Sequence, residues 1–269
     1  MTFGHEGPQL NWTVIGWGTF AGLCTGFATL IGALPVLLSR RPSMGQQGIM
    51  LGFAAGVMMS ASYLSLIVPA AAFARDGGHG SFSSAGIVAV AVLIGAASLH
   101  AVRRWEPFER TLTMDARTPP EVRRRAWLLT LAMTSHNLPE GAAVGVAFGA
   151  GDPHIALSTA IGIGVQNLPE GLAVAAAMLS IGRKPWTAAL IGGLTGMVEP
   201  VGAFLGVTLV SLVQGLLPWG MGWAAGAMLY ICAAELIPAV HEEDGHTNKA
   251  LTAVIVGIAG MLFLDVALS

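Results

Sequence analysis

The chain has 269 residues, 54% of them hydrophobic and only 10% charged, with 36 glycines, a formal net charge of −2 and a mean hydropathy of +0.69. So little charge over so much apolar chain excludes an ordinary water-soluble domain, and the lack of a basic patch excludes nucleic acid as a partner. What remains is an all-α polytopic membrane protein, one transmembrane domain over residues 1–269, with membrane lipid around it.

Hydropathy predicts eight spans, at 12–38, 46–73, 83–102, 126–150, 155–181, 186–216, 219–240 and 249–268, each long enough to cross a bilayer as a helix. The residues before Trp12 carry no basic region, and the first apolar run is too long for a signal peptide, so it reads as a retained span. Cys24 and Cys232 lie in separate apolar runs without a CxxC pattern and read as small buried hydrophobes. The one sizeable hydrophilic connection is 103–125. Every Lys and Arg except Arg75 falls in a connection that follows an odd-numbered span. The positive-inside bias therefore assigns 103–125 to the cytoplasm and both termini to the non-cytoplasmic side of the cell inner membrane.

Four acids, Glu140, Glu170, Glu199 and Glu235, fall in spans four to seven, whereas Asp265 is close enough to the end of span eight to reach water. A charge inside the bilayer is costly and marks function by default. Two of these acids belong to one hexapeptide that occurs twice, thirty residues apart: His136-Asn137-Leu138-Pro139-Glu140-Gly141 and Gln166-Asn167-Leu168-Pro169-Glu170-Gly171. On a helix His136 stacks on Glu140 and Gln166 on Glu170, four residues apart, while Asn137 and Asn167 sit three residues before their glutamates. Each proline frees a backbone carbonyl, and each glycine lets a partner helix come close. Imidazole, carboxylate and amide oxygen without thiolate suit Zn²⁺, Fe²⁺ or Mn²⁺ better than Cu⁺, Ca²⁺ or Mg²⁺, and do not choose among the first three.

The hexapeptide pair, with Gly196-Met197-Val198-Glu199-Pro200 and the stretch AAGAMLYICAAELIP at 224–238, resembles the bacterial branch of the ZIP family of divalent metal transporters along nearly the whole chain. The resemblance implies eight transmembrane helices in a 3+2+3 arrangement, spans one to three and six to eight being inverted repeats around spans four and five. It implies a main metal position at His136, Glu140, Gln166 and Glu170 with Met58 as a thioether contact. The second position would use Asn137, Asn167 and Glu199 with the shared Glu140 and Glu170. Zn²⁺, and after it Fe²⁺, Mn²⁺ or Cd²⁺, would be the transported substrate rather than a cofactor. The ion would move into the cytoplasm by elevator-like alternating access, without enzymatic activity, and a homodimer is the candidate assembly.

Two departures matter. Asn167 stands where some bacterial relatives carry an acid, which lowers the charge of the second position. The 103–125 connection lacks the histidines that many relatives have there. Glu235 and a small cluster holding His241 and His246, at the cytoplasmic end of span seven, are candidate exit or accessory positions. The rival reading is an intramembrane zinc-dependent hydrolase, which needs about three ligands closed around the metal and an open position. A single mid-membrane histidine and the lack of HExxH oppose it.

Overall fold

A computed structural model gives the fold and describes residues 11–38, 44–104, 120–238 and 247–268. The described elements are helical. They are α1 (Trp12–Ala33), α2 (Met44–Ala61), α3 (Val68–Asp76), α4 (Ser81–Arg104), α5 (Pro120–Gly149), α6 (Pro153–Ser180), α7 (Pro185–Thr195), α8 (Glu199–Leu212), α9 (Leu217–Ile231) and α10 (Thr247–Leu268). Several run on into one another: α2 reaches α3 through a π-helical stretch, Ser62–Ile67, and α7 reaches α8 through a 3₁₀ turn, Gly196–Val198. A second π-helical stretch, Cys232–Leu236, continues α9.

Local chemistry sets the ends. Asn11 caps α1 by accepting hydrogen bonds from the backbone N–H groups of Thr13 and Val14. Asp152 does the same for α6, where Pro153 pre-sets the first turn. Gly151, at φ +75°, makes the turn between α5 and α6 that a side chain would strain.

Five helical stretches are long and apolar enough to cross a membrane: Trp12–Leu38, Gly48–Asp76, Ser81–Ala101, Pro185–Leu212 and Asn248–Leu268. The other three expected spans coincide with α5, with α6, and with α9 and its π continuation. The hexapeptides depress the hydropathy of α5 and α6. The burial pattern suits a lipid solvent. Trp17, Phe20, Phe82, Ile255 and Phe263 point outward, while glycine, alanine, serine, threonine and acids fill the interior. Cys232 is buried as expected. Cys24 is not: it lies on the exposed face of α1, where an apolar thiol meets lipid without penalty.

Apolar surface gains little by leaving lipid, so these helices are held by close backbone approach at small residues. Four pairs dominate: α1 with α6, α5 with α8, α2 with α10 and α4 with α9. A Cβ added at Gly141 would run into the Glu199 carbonyl, at Gly171 into that of Thr29, at Gly56 into that of Val254, and at Gly226 into that of Val92. Each pair is thus closed by at least one glycine that a side chain would wedge open. Helix α4 extends to Arg104 and α5 starts at Pro120, so both ends of the expected 103–125 connection are helical. Residues 105–119 lie outside the described residues.

Candidate metal centre

Helices α5 and α6 run unbroken through both hexapeptides, with Pro139 and Pro169 inside them. The four-residue spacing therefore holds. His136 and Glu140 lie on one face of α5, and Gln166 and Glu170 on one face of α6. All four are buried to 2% exposure or less, as are Asn137, Asn167, Glu199 and Met58.

A hydrogen bond joins the two copies: Gln166 Nε2 donates to Glu140 Oε1 at 2.9 Å. A second group forms one turn away. Asn167 Nδ2 donates to Glu199 Oε1 at 2.8 Å and to the Thr25 carbonyl at 2.9 Å, and the Thr29 hydroxyl donates to the same Glu199 oxygen at 3.3 Å. Glu199 opens α8 directly after the 3₁₀ turn that joins it to α7. Glu140 lies within electrostatic reach of both Glu170 and Glu199.

Several acceptors are left over. Glu140 Oε2, Gln166 Oε1, Asn137 Oδ1, Asn167 Oδ1 and Glu199 Oε2 are buried without a hydrogen-bond partner. Each such group costs about 1–3 kcal/mol if nothing meets it. A divalent cation offsets acceptor oxygens and clustered carboxylates together, which is the chemistry this arrangement can perform. Among the described residues no three His, Cys, Asp or Glu side chains form a ready cage, so a cation here would draw on amide and thioether donors too.

Helix α1 contributes more than the sequence suggested, through the Thr25 carbonyl and the Thr29 hydroxyl. The available signal is the spacing of Thr25 and Thr29, four apart beside Gly22 and Gly26 in an otherwise apolar run. The backbone of Glu235 lies in the π continuation of α9, and its side chain is outside the described residues, as are His241 and His246 altogether. Asp265 is partly exposed and has partners besides water. It accepts from the Ser65 hydroxyl at 3.4 Å, and its carbonyl meets His154 Nε2 at 2.7 Å.

Comparison with known proteins places the chain in a family. The model of the ZIP Zinc transporter family matches residues 110–265, which include both hexapeptides and Glu199. The chain is 43% identical over 254 residues to zinc transporter GufA of Myxococcus xanthus, covering 94% of this chain and 100% of that protein. It is 38% identical over 270 residues to zinc transporter ZIPB of Bordetella bronchiseptica, covering 94% and 82%. It is also 33% identical over 312 residues to human zinc transporter ZIP11, covering 84% and 90%.

Proposed function

This chain belongs to the ZIP zinc transporter family, and on that premise we propose that it carries Zn²⁺ across the cytoplasmic membrane into the cell through the buried centre between α5 and α6. It is a transporter of divalent metal and not an enzyme. The observation that carries the proposal is the Gln166–Glu140 hydrogen bond, which brings the two hexapeptides together around acceptor oxygens that no other described residue satisfies. Fe²⁺, Mn²⁺ and Cd²⁺ are further candidate substrates.

The 3+2+3 reading is supported by the helix pairing. Under an inverted repeat, span one pairs with five as six does with four, and span two pairs with eight as seven does with three. The four dominant helix pairs follow that rule, and π-helical stretches recur in the corresponding spans two and seven. Carboxylate, amide and imidazole donors bind a first-row ion firmly enough to replace its water and release it when geometry changes. An elevator-like shift of the block carrying α5 and α6 would supply that change. Both termini are assigned to the non-cytoplasmic side by the distribution of basic residues.

Purified protein in liposomes enclosing a zinc-sensitive dye tests this. Saturable zinc uptake without lipid or peptide cleavage is expected, and hydrolysis without flux would overturn it. His136→Ala should weaken zinc binding more than manganese binding, because imidazole contributes more to the borderline-soft ion. Equal losses measured by calorimetry would show that His136 only positions a neighbour.

Asn167 determines the second position. Its amide donates to Glu199 and to the Thr25 carbonyl, so a neutral N–H group stands where a second ion would neutralise Glu199. One bound ion per chain is therefore expected. Asn167→Asp replaces those donors with a charge facing Glu199, so the metal-free variant should lose stability by roughly 1–3 kcal/mol. Zinc should restore it, with two ions per chain by native mass spectrometry. A native ratio of two, or a variant that stays at one, would contradict this role.

A further inference from the structure

The first turn of α10 carries a lysine that the metal centre does not use. Lys249 is exposed, has no ion-pair partner among the described residues, and stands at one end of a groove of about 620 Å³. Ile49 and Phe53 on α2, Thr252 and Val256 on α10, and Pro169 on α6 line that groove. The space arises from the way three helices meet. Helices α2 and α10 run side by side with their backbones in contact, since a Cβ at Gly52 would run into the Ala250 carbonyl and one at Gly56 into that of Val254. Helix α6 touches α10 farther along, where a Cβ at Gly162 would meet the Met261 sulfur. Between that contact and Lys249 the groove opens, and it reaches inward to the proline of the second hexapeptide.

The groove is apolar with a cation at one end only. Thr252 does not change that, because its hydroxyl donates to the Asn248 carbonyl at 2.8 Å. The apolar span begins at Asn248, so Lys249 stands at the edge of the hydrocarbon layer. From Lys249 to Val256 the helix rises about 10 Å, roughly a third of the hydrocarbon thickness. Hydrocarbon along the wall and positive charge at the rim match a phospholipid with an anionic headgroup. A second groove supplies the contrast. Under the inverted repeat proposed above, α2, α10 and α6 correspond to α9, α4 and α5, and a groove of about 440 Å³ lies among those helices and α8, lined by Leu138, Trp219 and Trp223 among others and by no charged residue. Leu138 and Leu168, equivalent in the two hexapeptides, are each 38% exposed. The two grooves thus share a place in the repeat and differ in charge.

We propose that the Lys249 groove holds one anionic phospholipid, its phosphate against the Lys249 ammonium and its acyl chain along Phe53 and Val256 as far as Pro169. The lipid then fills the boundary between the α2 and α10 pair and the helix that carries Gln166 and Glu170. The groove at Leu138 takes an acyl chain without choosing a headgroup, so one selected lipid per chain is expected and not two.

The test is native mass spectrometry of the full chain in detergent, with phosphatidylglycerol or phosphatidylethanolamine of equal chain length added. One phosphatidylglycerol per chain should be retained about fivefold over phosphatidylethanolamine, the factor a single lysine contributes near an anionic surface. Lys249→Gln should abolish that preference. Lys184→Gln, in the turn between α6 and α7 and outside the groove, should keep it. Val256→Trp fills the groove with the lysine intact and should lower retention of both lipids. Equal retention of the two lipids by the native protein overturns the proposal with no variant needed. A preference that survives Lys249→Gln, or that Lys184→Gln removes equally, overturns it as well. The measurement uses no metal, so its outcome is separate from that of the transport reading.

Discussion

Replacing Glu140 with alanine should reduce zinc flux to about one hundredth of native or less while leaving the protein folded in the membrane. The side chain is fully buried, accepts the hydrogen bond that ties α6 to α5, and is the carboxylate within reach of both Glu170 and Glu199. A carboxylate against a divalent ion contributes several kcal/mol at an effective dielectric near 20, before desolvation is subtracted, and about 1.4 kcal/mol is a factor of ten. Alanine also strands the Gln166 amide in a dry interior. Monodispersity by size-exclusion chromatography checks the fold, and uptake into dye-loaded liposomes checks the function. A folded variant with normal uptake would remove Glu140 from the path of the ion.

Gly141→Val should be nearly as damaging by a different route. A Cβ at this position runs into the Glu199 carbonyl and Cα, which are backbone and cannot rotate aside. Helices α5 and α8 must then separate, and Glu199 moves away from Asn167. Forcing atoms into a packed interior costs about 1–3 kcal/mol when side chains can yield, and more is expected against a helix backbone. Folded yield in detergent should fall several-fold, and what remains should lack zinc uptake. Gly260→Val is the control, since a Cβ there meets nothing within 4 Å. Equal yields for the two variants would mean that α5 and α8 are not held by close approach.

These two residues also mark what the sequence made legible. Glu140 stood out because a charge repeated in apolar surroundings has few structural explanations. The glycine after it was readable as a contact, and α8 is the helix it meets. Burial of the donors on α5 and α6 and the meeting of Gln166 with Glu140 follow the helical spacing. Of the α1 contribution only the Thr25–Thr29 spacing left a signal, because the Thr25 carbonyl belongs to the backbone and has no residue-type signature. The Thr25 hydroxyl bonds back to the Gly22 carbonyl, an ordinary device of membrane helices, and also acts on Glu199. Asp265 stays partly exposed near the end of its span as expected, but position along a span did not reveal its Ser65 and His154 partners. Hydropathy likewise ended the fourth span's start at residue 126, although the α5 backbone begins at Pro120, since hydropathy reports the solvent and not the hydrogen bonding of the chain. The π-helical stretches left no mark in the sequence pattern at all.

The central claim is that the two hexapeptides form one intramembrane site for the transported ion. Zinc-edge anomalous diffraction from crystals of the zinc-loaded protein tests it most directly. The account predicts one strong peak within coordination distance of Glu140, Gln166 and Glu170, with His136 among its ligands and Asn167 still donating to Glu199. A peak elsewhere, with the Gln166 to Glu140 hydrogen bond intact and no metal between the hexapeptides, would contradict it.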